Sequence, residues 1–351
     1  MANVERKVRI GFVGVGHMGQ CAHLRHYATL PDCEVVAIAE IRPSLAQRVA
    51  ARYGVPRVYS SPEEMLAHEE LDGIVASQPF TRHGVVLTGL YRFGVPLFSE
   101  KPLAGSIEVG ERLLQALAAG GSWHMVGYHK RSDPATMYAR REIERLKQTG
   151  ELGALRYVRI TMPPGDWIAG GFTDVISDEP VAGLEHDPPA GDMDPETYQL
   201  YLSFVNYYIH QVNLMRYLLG EPYQVAYAAR SGVMLAVESA SGVTGIIEMA
   251  PYSTTLDWQE SALVAFEHGY VKLDLPAPLA CNRPGRVEIL ADAHGEQKLV
   301  VPFLPPVAAM RQQAINFVRA IRGEAEPPCQ AAEALEDLRV ARDYLRIWRG
   351  V

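Results

Sequence analysis

The clearest indication of the fold of this 351-residue chain is the sequence Ile10-Gly11-Phe12-Val13-Gly14-Val15-Gly16-His17-Met18-Gly19. It joins an apolar run to a helical pattern and carries the G-x-G-x-x-G spacing of a dinucleotide-binding turn. In such a turn Gly14 permits the tight bend, Gly16 lets the backbone approach a pyrophosphate, and Gly19 lets helix and strand pack closely. The amides at the start of the helix then face the anion. We therefore predict cofactor contacts at Gly14, Gly16, His17, Met18 and Gly19.

An acidic residue closes the second predicted strand: Glu40 follows Gly19 by 21 residues. A carboxylate at this point accepts hydrogen bonds from ribose hydroxyls and repels a 2′-phosphate, which favours NAD over NADP as cofactor. Arg42, two residues further on, is able to hold a 2′-phosphate, so NADP stays open as the alternative. A Rossmann-like unit with a different ligand is the other alternative.

The first 128 residues alternate short apolar runs with amphipathic stretches. Helix signals include the stretch Pro43–Tyr53, which stops at Gly54, and the N-cap residue Ser106. This alternation predicts an α/β unit, a Rossmann doubly wound parallel sheet with right-handed crossovers. Its six predicted strands are Val8–Val13, Val35–Glu40, Arg57–Tyr59, Gly73–Ser77, Val95–Ser99 and Trp123–Gly127.

The pattern changes after residue 128. An irregular segment, 163–195, is rich in proline, glycine and acids and has no Lys or Arg. Asp194 as N-cap and Gly220 as terminator predict one continuous helix after it. Strand patterns between Gln224 and Pro302 then predict an α+β unit, an open and mostly antiparallel sheet covered by helices on one face. We therefore predict a dinucleotide-binding domain at 1–128 and a substrate-binding and oligomerisation domain at 129–351.

Composition excludes several function classes. With 33 Lys+Arg against 41 Asp+Glu, the formal charge of -8 argues against nucleic acid or an anionic membrane as partner. The four cysteines show no C-x-x-C spacing, so neither a disulfide framework nor a zinc site is predicted. No apolar run approaches the ~20 residues of a membrane span, and the charged N-terminus does not look like a secretory signal. We expect a cytoplasmic protein.

Two loops fall at the carboxyl ends of predicted strands, where ligands bind in open α/β sheets. The first contains Ser77, Gln78 and Pro79 and is followed by His83; the second contains Glu100 and Lys101. Lys101, stiffened by the proline after it, would point at the nicotinamide edge. The alternatives are a capping or surface role for His83 and a solvated loop position for Lys101.

These motifs together resemble the Gfo/Idh/MocA oxidoreductases, named for glucose-fructose oxidoreductase and inositol 2-dehydrogenase. The resemblance rests on the glycine motif, Glu40, Gln78-Pro79 with His83 and, above all, Glu100-Lys101-Pro102-Leu103. The stretch 127–131 resembles the G-Y/F-x-x-R sequence of that family. The resemblance spans the chain and implies a dinucleotide in the first domain, a sugar, cyclitol or related polyol between the domains, and C-terminal helices that pack back on the first domain.

The predicted helix between residues 194 and 220 carries the catalytic candidates. Asn206, His210 and Asn213 share one face of a continuous helix, since they are spaced i, i+4 and i+7. Relatives have D-x-x-x-H here, so Asn206 departs from the family by lacking a charge. The resemblance implies that His210 takes a proton from a secondary alcohol, that Lys101 stabilises the developing alkoxide, and that Asn206 places the hydroxyl. The alternative for His210 is a structural role, as a core histidine whose ring nitrogens are hydrogen-bonded.

Weaker candidates for substrate binding lie elsewhere in the second domain. They are Arg131, for which a helix-start salt bridge is the alternative, Asp166, and Trp167, for which plain packing is the alternative. His186 and Asp187 lie among many acids, but we predict no metal site and prefer a lid or subunit-contact role for this segment.

The sequence thus predicts an NAD(P)-dependent dehydrogenase or reductase acting on a sugar, cyclitol or related polyol. Two alternatives are a redox-neutral, NAD-dependent glycoside-cleaving enzyme and a decayed NAD-binding sensor. Because the uncovered face of an open sheet would be apolar, we also expect a homodimer or homotetramer through the C-terminal sheet.

Overall fold

The computed structural model describes residues 6–169, 174–177, 179–181, 183–293 and 295–350. The chain forms two compact units. The first contains Met1–Tyr128, Phe172–Tyr198 and Gln313–Leu338, and the second contains His129–Gly171, Gln199–Gln312 and Arg339–Val351. Among the described residues, no helix is long and apolar enough to cross a membrane.

A six-stranded parallel sheet forms the centre of the first unit. Its strands are β1 (Val8–Val13), β2 (Cys33–Ala39), β3 (Arg57–Tyr59), β4 (Gly73–Ala76), β5 (Leu97–Glu100) and β6 (His124–Gly127). They lie in the order β3-β2-β1-β4-β5-β6. The order reverses between β1 and β4, so the crevice for a ligand opens where the Gly-rich turn leaves β1. The prediction of a doubly wound parallel sheet is confirmed.

Helices connect these strands, and two predicted signals are confirmed: Gly54 ends the helix Pro43–Tyr53, and Ser106 caps the helix that begins at Ile107. A π-helical turn, Gly19–Leu24, follows the Gly-rich loop, and the serine hydroxyls of Ser61 and Ser106 cap two of the helices. The helices of this part are α1 (Arg25–Tyr27), α2 (Pro43–Tyr53), α3 (Pro62–His68), α4 (His83–Tyr91) and α5 (Ile107–Gly120).

The second unit is built on an eight-stranded sheet. Its strands are β7 (Leu155–Thr161), β8 (Tyr223–Ala228), β9 (Met234–Ser239), β10 (Thr244–Glu248), β11 (Glu260–Phe266), β12 (Gly269–Leu275), β13 (Arg286–Ala293) and β14 (Glu296–Val300). The order is β14-β13-β12-β11-β7-β10-β9-β8. Only the pair β7 and β10 is parallel among the described pairings, which confirms the predicted mostly antiparallel sheet.

The remaining helices are α6 (His129–Ser132), α7 (Pro134–Thr149), α8 (Pro195–Tyr207), α9 (Ile209–Leu219), α10 (Ala309–Ile321) and α11 (Ala331–Arg349). Within the second unit, α7 packs on β12 and β13, and α9 packs on β7 and β10. The opposite face of the sheet is mixed: the half-buried Ile246 and Leu263 stand beside the charged Arg159, Lys272 and Glu288. This face therefore carries both apolar and charged side chains.

The prediction of one continuous helix from Asp194 to Gly220 is also wrong. The helix breaks at Tyr208, whose φ and ψ are -100° and -2°. The carbonyl of Tyr208 accepts from the amides of both Gln211 (3.0 Å) and Val212 (3.2 Å), so the turn is tightened. The Tyr208 hydroxyl also donates to the carbonyl of Met249 at 2.6 Å. This long-range hydrogen bond fixes Tyr208, and no proline or glycine near it in sequence predicts the break.

Candidate active site

Two of the three glycines of the Gly-rich loop, Gly14 and Gly19, have no room for a side chain. Gly14 has φ of +87°, and a Cβ there would lie 2.3 Å from Gln78 Nε2 and 2.6 Å from the Ser77 carbonyl oxygen. A Cβ at Gly19 would lie 2.8 Å from the Gly14 carbonyl oxygen. At Gly16 the nearest described atom to a Cβ would be Arg42 Nη2, at 3.4 Å, so the backbone there is open to a ligand. The predicted loop residues His17 and Met18 are exposed and half-buried, respectively.

Glu40 lies directly beside this loop. Its Oε2 accepts from the amide of Val15 at 3.0 Å, and its two oxygens hold Arg42 in a bidentate pair, at 2.8 Å to Nε and 3.0 Å to Nη2. Burial acts to raise the pKa of Glu40, but the hydrogen bonds from Arg42 and Val15 outweigh it and hold the pKa below its ordinary value. The carboxylate is therefore ionised near neutral pH and available to ribose hydroxyls.

The loop after β4 borders the Gly-rich turn. Gln78 donates to the carbonyl of Val13 at 3.1 Å, and the amide of Ser77 does so at 2.9 Å. Pro79 is exposed. His83 is fully buried with Nδ1 2.9 Å from the Leu103 carbonyl oxygen, and burial lowers its pKa, so it is a neutral structural neighbour of the loop rather than a surface histidine.

The loop after β5 presents Lys101. Its backbone amide donates to Glu100 Oε2 at 3.2 Å, and Glu100 Oε1 lies 2.6 Å from His23 Nε2. Burial raises the pKa of Glu100, but the contact with His23 and the charge of Lys101 outweigh it and lower the pKa overall. A charged, buried carboxylate thus fixes the backbone from which the half-buried Lys101 side chain projects.

The irregular segment 163–195, rich in acids, makes three contacts within the first unit that the sequence patterns did not predict. Gln20, in the π-helical turn, exchanges two hydrogen bonds with the backbone of Ile176, at 2.9 and 3.0 Å. Glu179 Oε2 accepts from the amide of Leu45 at 2.7 Å, and Asp187 Oδ2 accepts from the amide of Gly84 at 2.8 Å. Two carboxylates of this segment therefore cap helices α2 and α4, on either side of the Gly-rich turn.

The second unit holds the other catalytic candidates. Asn206 is exposed near the end of α8, whereas His210 is half-buried in the first turn of α9 and Asn213 is buried. The break at Tyr208 means that Asn206 and His210 do not share the face of one regular helix. His210 instead packs against the buried His129, with ring centroids 4.5 Å apart.

Helix α6 supports α9 through three consecutive buried residues. After His129, Lys130 forms an ion pair with Glu260, whose other oxygen accepts from Gln211 at 2.7 Å. Arg131 Nε donates to Asn213 Oδ1 at 2.6 Å, and its guanidinium lies 4.8 Å from the ring centre of Tyr217. These contacts place Arg131 in the interior of the second unit. Asp166 caps its own turn by accepting from Ile168 at 3.0 Å, and Trp167 is half-buried, its carbonyl accepting from Leu279 at 3.2 Å.

His186 and Asp187 both contact the segment around the start of α4. Nδ1 of His186 lies 2.9 Å from the Thr81 hydroxyl oxygen, and Asp187 caps α4. Within the described residues, no group of three or more His, Cys, Asp or Glu side chains is arranged to hold a metal ion.

Comparison with known proteins gives a family match for the N-terminal part of the first unit. Residues 8–128 match the model of the GFO_IDH_MocA family, described as "Oxidoreductase family, NAD-binding Rossmann fold". A similar curated protein is the scyllo-inositol 2-dehydrogenase (NAD(+)) of Bacillus subtilis (strain 168), 24% identical over 259 residues, which are 70% of this chain and 68% of that protein.

Solved structures share the fold over nearly the whole chain. The aldose-aldose oxidoreductase of Caulobacter crescentus, complexed with glycerol, has a TM-score of 0.71 at 20% identity and covers 98% of both chains. The WlbA dehydrogenase of Bordetella pertussis, in complex with NADH and UDP-GlcNAcA, has a TM-score of 0.69 at 22% identity and covers 99% of this chain and 97% of that chain. Both proteins have the two-part fold described above.

Proposed function

Since the chain belongs to the Gfo/Idh/MocA oxidoreductases, an NAD-binding Rossmann-fold family, we propose that it is an NAD-dependent dehydrogenase or reductase of a sugar, cyclitol or related polyol. Its relatives include an inositol dehydrogenase and an aldose oxidoreductase, which supports this substrate class. When bound, the nicotinamide ring supplies the acceptor or donor of a hydride.

The observation that carries the proposal is the place of Lys101 at an edge of the sheet that also carries the Gly-rich loop. Lys101 follows β5 at the carboxyl edge of the sheet, and the buried pair of Glu100 and His23 holds its backbone. An ammonium group at this edge stabilises negative charge on a substrate oxygen during oxidation and polarises a carbonyl during reduction. Ser77, Gln78 and Pro79 border the same edge from the neighbouring strand.

His210 is the proposed proton acceptor of the alcohol. A neutral imidazole accepts a proton at a ring nitrogen and can return it once charged, which suits proton transfer in either direction. Asn206, exposed one turn before it, offers an amide to a substrate hydroxyl but no charge. Because Arg131 contacts Asn213 and Tyr217, its proposed role becomes the support of α9. Asp166 and Trp167 stay proposed substrate contacts at the loop after β7.

The test is a panel of polyols, cyclitols and sugars with NAD and with NADP, followed by the absorbance of the reduced cofactor. We expect turnover on at least one of these, and a loss of at least about 100-fold in kcat for Lys101→Ala and for His210→Ala. The exposed Lys298 and His268 provide matched control variants, Lys298→Ala and His268→Ala, which should keep full activity. Unchanged rates in Lys101→Ala would contradict the proposal, and NAD binding without any turnover would favour a sensor.

We also propose that the protein is cytoplasmic and forms a homodimer or homotetramer through the uncovered face of its eight-stranded sheet. The alternation of half-buried apolar and charged side chains on this face suits a self-complementary contact. Light scattering at micromolar concentration should give at least twice the mass of one chain, 38.7 kDa, and a monomer would contradict this.

A further inference from the structure

The start of helix α2 is the place where a 2′-phosphate would have to be accommodated, because α2 follows the ribose-binding acid at the end of β2. The helix begins with Pro43, which has no N–H. The amide of Ala46 already makes the first helical bond, to the carbonyl of residue 42 at 2.9 Å. Only the amides of Ser44 and Leu45 are therefore placed at this end to bind an anion.

A carboxylate from a distant part of the chain occupies one of these two amides. Glu179 Oε2 accepts from the Leu45 amide at 2.7 Å, although the two residues are 134 positions apart. Glu179 is half-buried, and its segment is anchored on the same unit by Ile176 through Gln20. The fold thus holds the Glu179 carboxylate at the N-terminus of α2.

The second group able to bind a 2′-phosphate is also occupied. The guanidinium of Arg42 is held by both oxygens of Glu40, at 2.8 and 3.0 Å. The Leu45 amide and the Arg42 guanidinium are therefore each matched with a carboxylate of the chain itself. A 2′-phosphate, with about two negative charges, would have to displace or approach two carboxylates, whereas the ribose hydroxyls of NAD can donate to Glu40.

We propose that Glu179 is a second selectivity residue, which acts with Glu40 to exclude NADP from the site. This rests on the proposed function only in that a dinucleotide binds at the Gly-rich loop. The test is direct binding of NADH and NADPH, measured by cofactor fluorescence in the absence of substrate. Glu179→Gln retains an oxygen that accepts from Leu45 and removes the charge.

Wild-type protein should bind NADH more tightly than NADPH. In Glu179→Gln we expect the Kd for NADPH to fall about tenfold, while the Kd for NADH stays within about twofold. The gain should shrink in high salt, because partly exposed charges are screened. The control is Glu185→Gln, an identical charge change in the same segment at an exposed side chain, and it should leave both Kd values unchanged.

Equal gains in the two variants would overturn the proposal, because they would report net charge rather than the position of Glu179. An unchanged ratio of Kd values in Glu179→Gln, or a wild-type preference for NADPH, would also overturn it. Selective NADH binding that Glu179→Gln relaxes would support it even if no polyol is turned over, so its outcome is separate from that of the proposed reaction. Absence of binding to either dinucleotide would overturn both.

Discussion

The imidazole rings of His129 and His210 meet edge to face, with centroids 4.5 Å apart and planes at 73°. His129 is only 4% exposed, whereas His210 is half-buried. A buried ring restricts its edge-on neighbour more than solvent does, so His129 sets the orientation of the proposed proton acceptor. This matters here because Asn206, the other candidate close to His210 in sequence, is exposed and uncharged.

Replacing His129 by alanine should therefore lower kcat for the polyol found in the panel by about tenfold, since a proton acceptor free to rotate is less often aligned. The Kd for NADH should not change. His129→Phe keeps an aromatic ring at the contact and should restore most of the activity. Equal losses in the two variants would show that the His129 imidazole itself is required, which would contradict a positioning role.

The buried ion pair between Lys130 and Glu260 predicts a stability effect. Both side chains are almost fully buried, and Gln211 and Trp258 donate to the same carboxylate, at 2.7 and 3.2 Å. Glu260→Gln leaves the Lys130 charge uncompensated, so we expect the free energy of unfolding to fall by about 3–5 kcal/mol. Urea denaturation measures it.

Two control variants test whether the uncompensated charge of Lys130 causes the stability loss in Glu260→Gln. The double variant Lys130→Met, Glu260→Gln removes both charges and should recover much of the loss. Asp274→Asn breaks the exposed pair of Asp274 with Lys272 and should cost at most about 1 kcal/mol. If the double variant is no more stable than Glu260→Gln, an uncompensated charge is not the cause.

Asp133 predicts how stability depends on pH. It is 1% exposed, and burial raises its pKa from 3.8 to about 6, although the amides of Ala135 and Gly285 donate to it. Because the folded pKa lies above the unfolded one, its stabilising contribution is complete below about pH 4 and is lost as pH rises through about 6. Asp133→Asn lacks this titration.

Relative to Asp133→Asn, wild-type protein should therefore lose up to about 3 kcal/mol of unfolding free energy between pH 4 and pH 8. Urea denaturation of both proteins at several pH values gives this difference, and groups common to both cancel. Parallel stability curves would show that Asp133 keeps an ordinary pKa in the folded protein.

Much of the first unit was predictable from local sequence. The Gly-rich turn and Glu40 predict the strand-turn-helix unit and a dinucleotide as its ligand, because glycine spacing and strand ends are local properties of the sequence. The doubly wound parallel sheet was predictable from the alternation of strands and helices, since crossovers are right-handed. The family comparison confirms the oxidoreductase assignment and the NAD-binding fold.

The remaining features depend on contacts between residues far apart in the chain. Glu179 reaches Leu45 across 134 positions, and Glu260 reaches Lys130 across 130. The break at Tyr208 coincides with a hydrogen bond to Met249, and periodicity cannot show it. For the contact between His129 and His210, the sequence offers one partial indication, the family-like stretch 127–131, which includes His129. Within that stretch, however, Arg131 is the residue predicted to be functional.

The Gly-rich turn itself gives the last prediction, a comparison of two glycines with positive φ. At Gly14 an added Cβ would overlap Gln78 and Ser77, whereas at Gly54, with φ of +68°, an added Cβ would meet no atom of the described residues within 4 Å beyond its chain neighbours. Gly54→Ala should therefore cost only the strain of a left-handed residue, about 1–2 kcal/mol, and leave NADH binding unchanged. Gly14→Ala adds steric overlap, so it should cost at least about 3 kcal/mol and weaken NADH binding more than tenfold. Thermal unfolding and cofactor fluorescence measure both effects, and normal NADH affinity in Gly14→Ala would show that the dinucleotide does not depend on this turn.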